Sequence, residues 1–204
     1  MPKYRKRKPP KENPNNIIGH YKNTGELSND LFDSDYVQIQ LLGPHAKEKN
    51  ANVLVSTSSF PLVTEFSWYL GKDGYPLSYC SVDGKIKMGG VKLHIFLLKH
   101  KARLHKEKMV IDHINRNRLD NRLENLRICT PKQNSYNTTR PKNSKYKYKG
   151  VKKQGKTGKW IATASKDGER REIRDIDTQK EAAQIYDMMA EELFGEYAGK
   201  NFPK

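Results

Sequence analysis

The sequence predicts an α+β protein: a β-rich N-terminal scaffold, a central strand–loop–strand–helix motif, and a C-terminal three-stranded antiparallel sheet covered by one helix. Three observations predict it. Short apolar runs with period-two alternation, broken by Asp-Gly turns, fill residues 36 to about 93. Met109–Asn137 sets two short apolar runs around a polar loop and ends on a helix start. After a basic linker, two further strand patterns meet at Asp167-Gly168 and lead into an amphipathic helix that opens on Thr178.

Residues 1–35 read as a basic flexible arm and lead-in. Lys3, Arg5, Lys6, Arg7, Lys8 and Lys11, interleaved with prolines, cannot pack into a core. Such an arm suits a phosphate backbone or a minor groove, and it also resembles a nuclear localisation signal. Tyr36–Leu41 alternates like a half-exposed strand, and Asn52–Ser56 is a second apolar run. Ser59–Trp68 reads as a short helix with Pro61 in its first turn, and Trp68 as a core residue. Trp68–Leu70 and Leu77–Val82 read as a hairpin across Lys72-Asp73-Gly74-Tyr75. Asp83-Gly84 begins another turn, and Lys85–Met88 continues the sheet. Leu93–Lys99 reads as a buried helix beginning near His94. His20, His45, His100 and His105 carry no signal of function.

The central motif carries chemistry. Met109-Val110-Ile111 ends on Asp112-His113, a polar loop runs from Asn115 to Glu124, and Leu126–Cys129 returns as a second strand. Thr130-Pro131 then starts a helix, with threonine as cap and proline at the first helical position. Asp112 and His113 sit at a strand end, and Asn134 faces them from the helix. Asp112 and Asn134 offer hard oxygen donors, which suit Mg2+ or Mn2+ better than zinc. His113 titrates near neutral pH and can take a proton. A metal on a phosphate oxygen, beside a base that activates water, is a phosphodiester hydrolysis site.

With these residues in place, the stretch resembles the ββα-metal motif of HNH endonucleases, in the variant whose third motif position is asparagine. The resemblance implies that Asp112 and Asn134 hold one divalent ion, that His113 is the general base, and that Asn125 pins the loop so that His113 points at the water. It also implies a histidine at the start of a helix preceding the motif, which His94 matches. His94 then either touches a phosphate or supports the site as a packed side chain.

Charge and composition agree with a nucleic-acid partner. The chain has 204 residues and a formal net charge of +16, which favours a polyanionic partner, nucleic acid before membrane. No apolar run approaches the roughly 20 residues of a membrane span, and no signal-peptide pattern appears, so a cytoplasmic, non-secreted protein of a bacterial or phage-infected cell is expected. Cys80 and Cys129 are the only cysteines, too few for a disulfide framework or a four-cysteine zinc site. From Asn125 to Lys166 there is no Asp or Glu. The cations of that run include Arg127, Lys132, Arg140, Lys145, Lys147, Lys149, Lys152, Lys153 and Lys159, a surface along which a duplex can continue. Residues 141–146 read as a linker between 36–140, with its nuclease core at 93–138, and a DNA-binding module at 147–204.

In that module Lys159–Ser165 and Glu169–Ile176 read as strands, and Thr178-Gln179-Lys180-Glu181 as a capping box. Ala182, Ile185, Tyr186, Met189, Ala190 and Leu193 share one helical stripe, and Gly195 ends it. The sheet face opposite the helix is left free and basic, and its width fits a major groove. Residues 147–203 resemble the ethylene-response-factor (Apetala-two) DNA-binding domain through Tyr148-Lys149-Gly150-Val151, Gly158-Lys159-Trp160, Glu181-Ala182-Ala183, Tyr186-Asp187 and Asn201-Phe202-Pro203. That resemblance implies base-reading strand residues, here Lys149, Lys152 and Arg170, and a packed Trp160. Two of the three are lysine where the plant domains favour arginine, so the plant target sequence does not carry over. The tandem order resembles phage and bacterial homing-type endonucleases. The expectation is a site-specific, metal-dependent DNA endonuclease, a monomer or weak dimer without a small-molecule cofactor. The alternative is a catalytically silent, sequence-specific DNA-binding regulator.

Overall fold

A computed structural model describes residues 4–5, 17–23, 25–28, 34–79, 81–82, 85–86, 90–98, 108–140, 143–155 and 157–203. Most of the expected basic arm, the Asp83-Gly84 turn, the end of the Lys85–Met88 strand, His100, His105 and two linker residues lie outside the described residues. The chain forms two compact units, residues 1–128 and 129–204. The expected linker 141–146 lies inside the second.

In chain order the first unit carries β1 (Tyr4–Arg5), β2 (Ile17–Tyr21), β3 (Leu27–Ser28), β4 (Tyr36–Gln40), α1 (Pro44–Lys49), β5 (Asn52–Ser56) and α2 (Phe60–Val63). It continues with β6 (Tyr69–Leu70), β7 (Pro76–Ser78), β8 (Ser81–Val82), β9 (Lys85–Ile86), β10 (Val91–Lys92), α3 (Leu93–Leu98), β11 (Val110–His113) and β12 (Asp120–Asn121). β13 (Leu126–Cys129) crosses into the second unit, which holds α4 (Pro131–Tyr136), β14 (Val151–Lys153), β15 (Trp160–Lys166), β16 (Glu169–Ile176) and α5 (Gln179–Phe194).

The alternation in Tyr36–Gln40 and Asn52–Ser56 is what folds the scaffold. β4 and β5 pair antiparallel with Val37 opposite Val55 and Ile39 opposite Val53, and all four are fully buried. Each such side chain removed from water contributes about 1.5–3 kcal/mol. They join Trp68, Phe66, Leu93, Phe96 and Leu97 in one core. The Trp68 indole donates to Val63 O at 2.9 Å, which satisfies its buried N–H. The full sheet runs β12-β5-β4-β2-β3, with the expected hairpin strands in a separate sheet, β10-β7-β6. One strand of the larger sheet comes from the polar loop of the central motif: Asp120–Asn121 lies parallel to Leu54–Val55.

The second unit has the expected sheet, β14-β15-β16, antiparallel throughout. Asp167 (φ 54°) and Gly168 (φ 88°) make its two-residue turn, both with the left-handed backbone that such turns require. α5 covers one face, with Ala182, Tyr186, Met189, Ala190 and Leu193 buried. Thr178 Oγ1 caps it by accepting from the Glu181 amide at 3.1 Å. Buried Asp187 accepts from the Asn201 and Phe202 amides, and Asn201 bonds both backbone groups of Lys149, so the C-terminal tail is tied to the start of the sheet. The motif helix α4 belongs to this unit. Tyr136 stacks on Phe194 at 4.4 Å, and its carbonyl accepts from Gly199 N and Lys149 Nζ.

Candidate active site

β11 and β13 pair and present Asp112 and His113 at a strand end. Both are buried, at 7% and 5% exposure. A lone charge in an apolar strand needs a partner, and Arg127 on β13 is that partner for Asp112. Its Nε and Nη2 donate to Asp112 Oδ2 at 3.0 and 2.7 Å. Arg127 fixes the orientation of the carboxylate, as outer-shell groups do for ligating carboxylates.

His113 Nε2 stands 3.4 Å from Asn121 Oδ1. Asn121 Nδ2 donates to Arg118 O at 3.0 Å, which turns its oxygen toward the imidazole. That oxygen can only accept, so the contact suits the tautomer with the proton on Nε2 and the lone pair on Nδ1. Burial pushes the His113 pKa below its ordinary value, opposed by the Asn121 bond and by the Asp112 and Asp120 charges. His94, on α3, is buried and packs edge-on against His113, ring centroids 5.0 Å apart. Burial first, then the charges of His113 and Lys92, lower its pKa to about 3, so it is neutral. Among the described residues its buried Nδ1 has no hydrogen-bond partner.

Asn125 closes the loop. Its Oδ1 accepts from Asn115 N, and its Nδ2 donates to Asn115 Oδ1 and to Asp120 O, all at 2.8–2.9 Å. Asp120 is 2% exposed. It takes a bidentate Arg122 guanidinium and the Asn115 amide, each at 2.8 Å. Asn117 accepts from Leu119 N, and Ser56 Oγ of the scaffold accepts from Leu123 N. The sequence reading missed Asn121, Asp120 and Arg122, and it placed Arg127 in the basic run rather than on Asp112. Their signal is the density of Asn and Asp between 115 and 125, each able to take a local backbone bond.

Asn134 lies on α4, half-buried, in the second unit. α4 starts on a complete capping box: Thr130 Oγ1 accepts from Gln133 N at 3.1 Å, and Gln133 Oε1 accepts from Thr130 N at 2.8 Å. Among the described residues no group of three or more His, Cys, Asp or Glu is placed to hold a metal. Asp112 in the first unit and Asn134 in the second each carry a hard oxygen donor of the kind that magnesium and manganese take.

The expected DNA-binding cations fall into three groups. Lys152 and Arg170 lie on the outer sheet face, where with Arg140, Thr163 and Ser165 they line an open pocket of ≈ 410 Å3. That face is not bare of acid. Glu172 sits between Arg170, Arg174 and Lys152 and accepts from Thr163 Oγ1, and the Arg170 guanidinium first of all holds its carboxyl at about 2. Lys145, Lys147 and Lys153 are exposed, the first two over their neighbouring tyrosine rings. Lys159 pairs with Asp177, and Lys149 is spent on Tyr136 O.

Residues 94–136 match the HNH endonuclease family. The chain is 38% identical over 198 residues to an HNH endonuclease of Acanthamoeba polyphaga mimivirus, covering 95% of this chain and 97% of that one. It is also 35% identical over 88 residues to Protein 3.8 of Escherichia phage T7, covering 43% of this chain and 72% of that protein. No solved structure matches. Among the described residues no helix is long and apolar enough to cross a membrane. The chain belongs to the HNH endonuclease family, enzymes that hydrolyse phosphodiester bonds in DNA.

Proposed function

We propose that this enzyme is a site-specific, homing-type endonuclease that cuts double-stranded DNA with one Mg2+ or Mn2+ per active site, held by Asp112 and Asn134. The observation that carries the reading is the buried imidazole of His113, held against Asn121, next to an Arg127-oriented Asp112. His113 Nδ1 takes the proton of the attacking water, and the strand is hydrolysed to 5′-phosphate and 3′-hydroxyl ends. Asp112 and Asn134 would hold the divalent ion, which would supply positive charge to offset the charge building on the phosphate and on the leaving 3′-oxygen. Asn125 keeps the loop closed so that Asn121 stays against Nε2. His94 backs His113 as a neutral packed ring, which its burial supports. The outer face of β14-β15-β16, with Lys152 and Arg170, docks the second unit on duplex DNA, and exposed Lys145, Lys147 and Lys153 add phosphate contacts.

The test is plasmid nicking with and without Mg2+, comparing wild type with His113→Ala on a plasmid that carries the flanks of the protein's own gene. Conversion of supercoiled DNA that needs the metal and falls by about 100-fold or more in the variant, with duplex binding retained, is expected. A variant that cuts at the wild-type rate removes His113 as the base.

A further inference from the structure

The β6–β7 turn reaches into the active site, although nothing in its sequence beyond Asp73-Gly74 marks it. Tyr75 at its end stands 5.0 Å from the His94 ring and 5.9 Å from the His113 ring. Two cations gather on it. Arg118, from the motif loop, places Cζ 4.5 Å from the Tyr75 centroid, and Lys92, at the end of β10, places Nζ 4.0 Å from it. Both are also tied to the turn itself. Arg118 Nη1 donates to Asp73 O, and Lys92 pairs with the Asp73 carboxylate at 2.7 Å. The Arg118 charge is felt at His113 and the Lys92 charge at His94.

The charges do not balance. One carboxylate, Asp73, faces two cations, and it lies on Lys92. Among the described residues Arg118 pairs with no carboxylate, and it is exposed to solvent. An exposed guanidinium, held by a ring and a carbonyl beside the base, is prepared for an anion from outside. In an enzyme that cuts DNA the anion presented next to the base is a backbone phosphate. Tyr75 and Lys92 lie outside the stretch that matches the family.

We propose that Arg118 binds a phosphate of the strand being cut, and that Tyr75, braced by Lys92 and Asp73, is the positioning residue that holds Arg118 beside His113. This rests on the hydrolase reading of the same site. The test is the metal-dependent nicking rate of the same plasmid against enzyme concentration, at single turnover, for wild type, Arg118→Ala, Arg118→Lys, Tyr75→Phe and Tyr75→Leu. Arg118→Ala should raise the half-saturating concentration by about tenfold and change the saturating rate far less. It should also lower the slope of log K against log salt by about 0.9, the mark of one lost phosphate contact. Arg118→Lys should recover most of the loss. Tyr75→Phe should match wild type because the ring remains, and Tyr75→Leu should match Arg118→Ala without adding to it in the double variant. A half-saturating concentration and salt slope unchanged in Arg118→Ala would overturn the proposal, as would Tyr75→Phe behaving like Tyr75→Leu. Absence of wild-type nicking in Mg2+ and Mn2+ would instead strike the hydrolase reading, and the salt slope of duplex binding would still decide the Arg118 contact.

Discussion

Asp120 is the residue on which the loop geometry turns. Its carboxylate is nearly fully buried, and it holds Arg122 and Asn115 while its own carbonyl receives Asn125. Burial alone would push its pKa up, but the bonded and charged Arg122 guanidinium outweighs that and holds it below the ordinary value. A depressed folded-state pKa means stability that is fully present above the unfolded value, near pH 4, and lost as pH falls through the lower folded value. Asp120→Asn takes from Arg122 its buried carboxylate and leaves it the exposed Glu124 and the Asn23 side chain, so urea unfolding at pH 7 should show a loss of about 2 kcal/mol. The gap between wild type and variant should close as the pH drops below about 4. A gap of equal size at pH 3 and pH 7 would mean that the ion pair is not its source. The same logic explains what could be read at this scale. Asp112, His113 and Asn125 stand out because their residue types and spacing match the motif that the sequence resembles. Asn121 and Arg127 hold those side chains, and their partners lie eight and fifteen residues away in sequence, where no local pattern points.

At the scale of elements, legibility follows periodicity. β4, β5 and α5 bury every second residue or one helical stripe, and the sequence displays that directly. α4 was legible from its cap, Thr130-Pro131, and the capping box forms. β12 was not: two polar residues carry no alternation, and its pairing partner is more than sixty positions away. α1 was also missed, a six-residue helix started by Gly43 (φ 92°) and Pro44 rather than by an apolar stripe. Gly150 shows an element held by one backbone conformation. Its φ is +71°, and a Cβ there would lie 1.9 Å from the Tyr186 ring, the centre of the contact between α5 and the sheet. Gly150→Ala must displace that ring as well as strain the backbone, so thermal unfolding of the second unit should show a cost of about 2–4 kcal/mol. A melting temperature within a degree or two of wild type, against the several degrees such a cost implies, would show that Tyr186 has room to move.

For the whole molecule the question is how much of the +16 charge is offered to DNA. Part of it is committed internally: Arg127 to Asp112, Lys132 to Asp167, Lys159 to Asp177, Arg171 to Glu169 and Glu192. Composition announces the excess but not these pairings, nor the acid that Glu172 sets into the outer sheet face. Glu172 sits among three cations of that face, so Glu172→Gln should tighten duplex binding at low salt and steepen the salt dependence by up to about 0.9 in slope. Fluorescence anisotropy across a salt series measures this. Weaker binding in the variant would mean that Glu172 serves DNA binding by ordering Arg170 and Arg174 rather than by neutralising them. A different consequence follows from Asp120–Asn121 lying in the scaffold sheet. The catalytic loop is not a cassette inserted between structural parts. It is an edge of the same hydrogen-bonded sheet, so the motif cut out on its own would lose the strand that shapes it, and the scaffold without it would expose the Leu54–Val55 backbone. Loss of activity on heating is then the same event as melting of the scaffold, and transplanting this chemistry to another protein means transplanting the sheet with it.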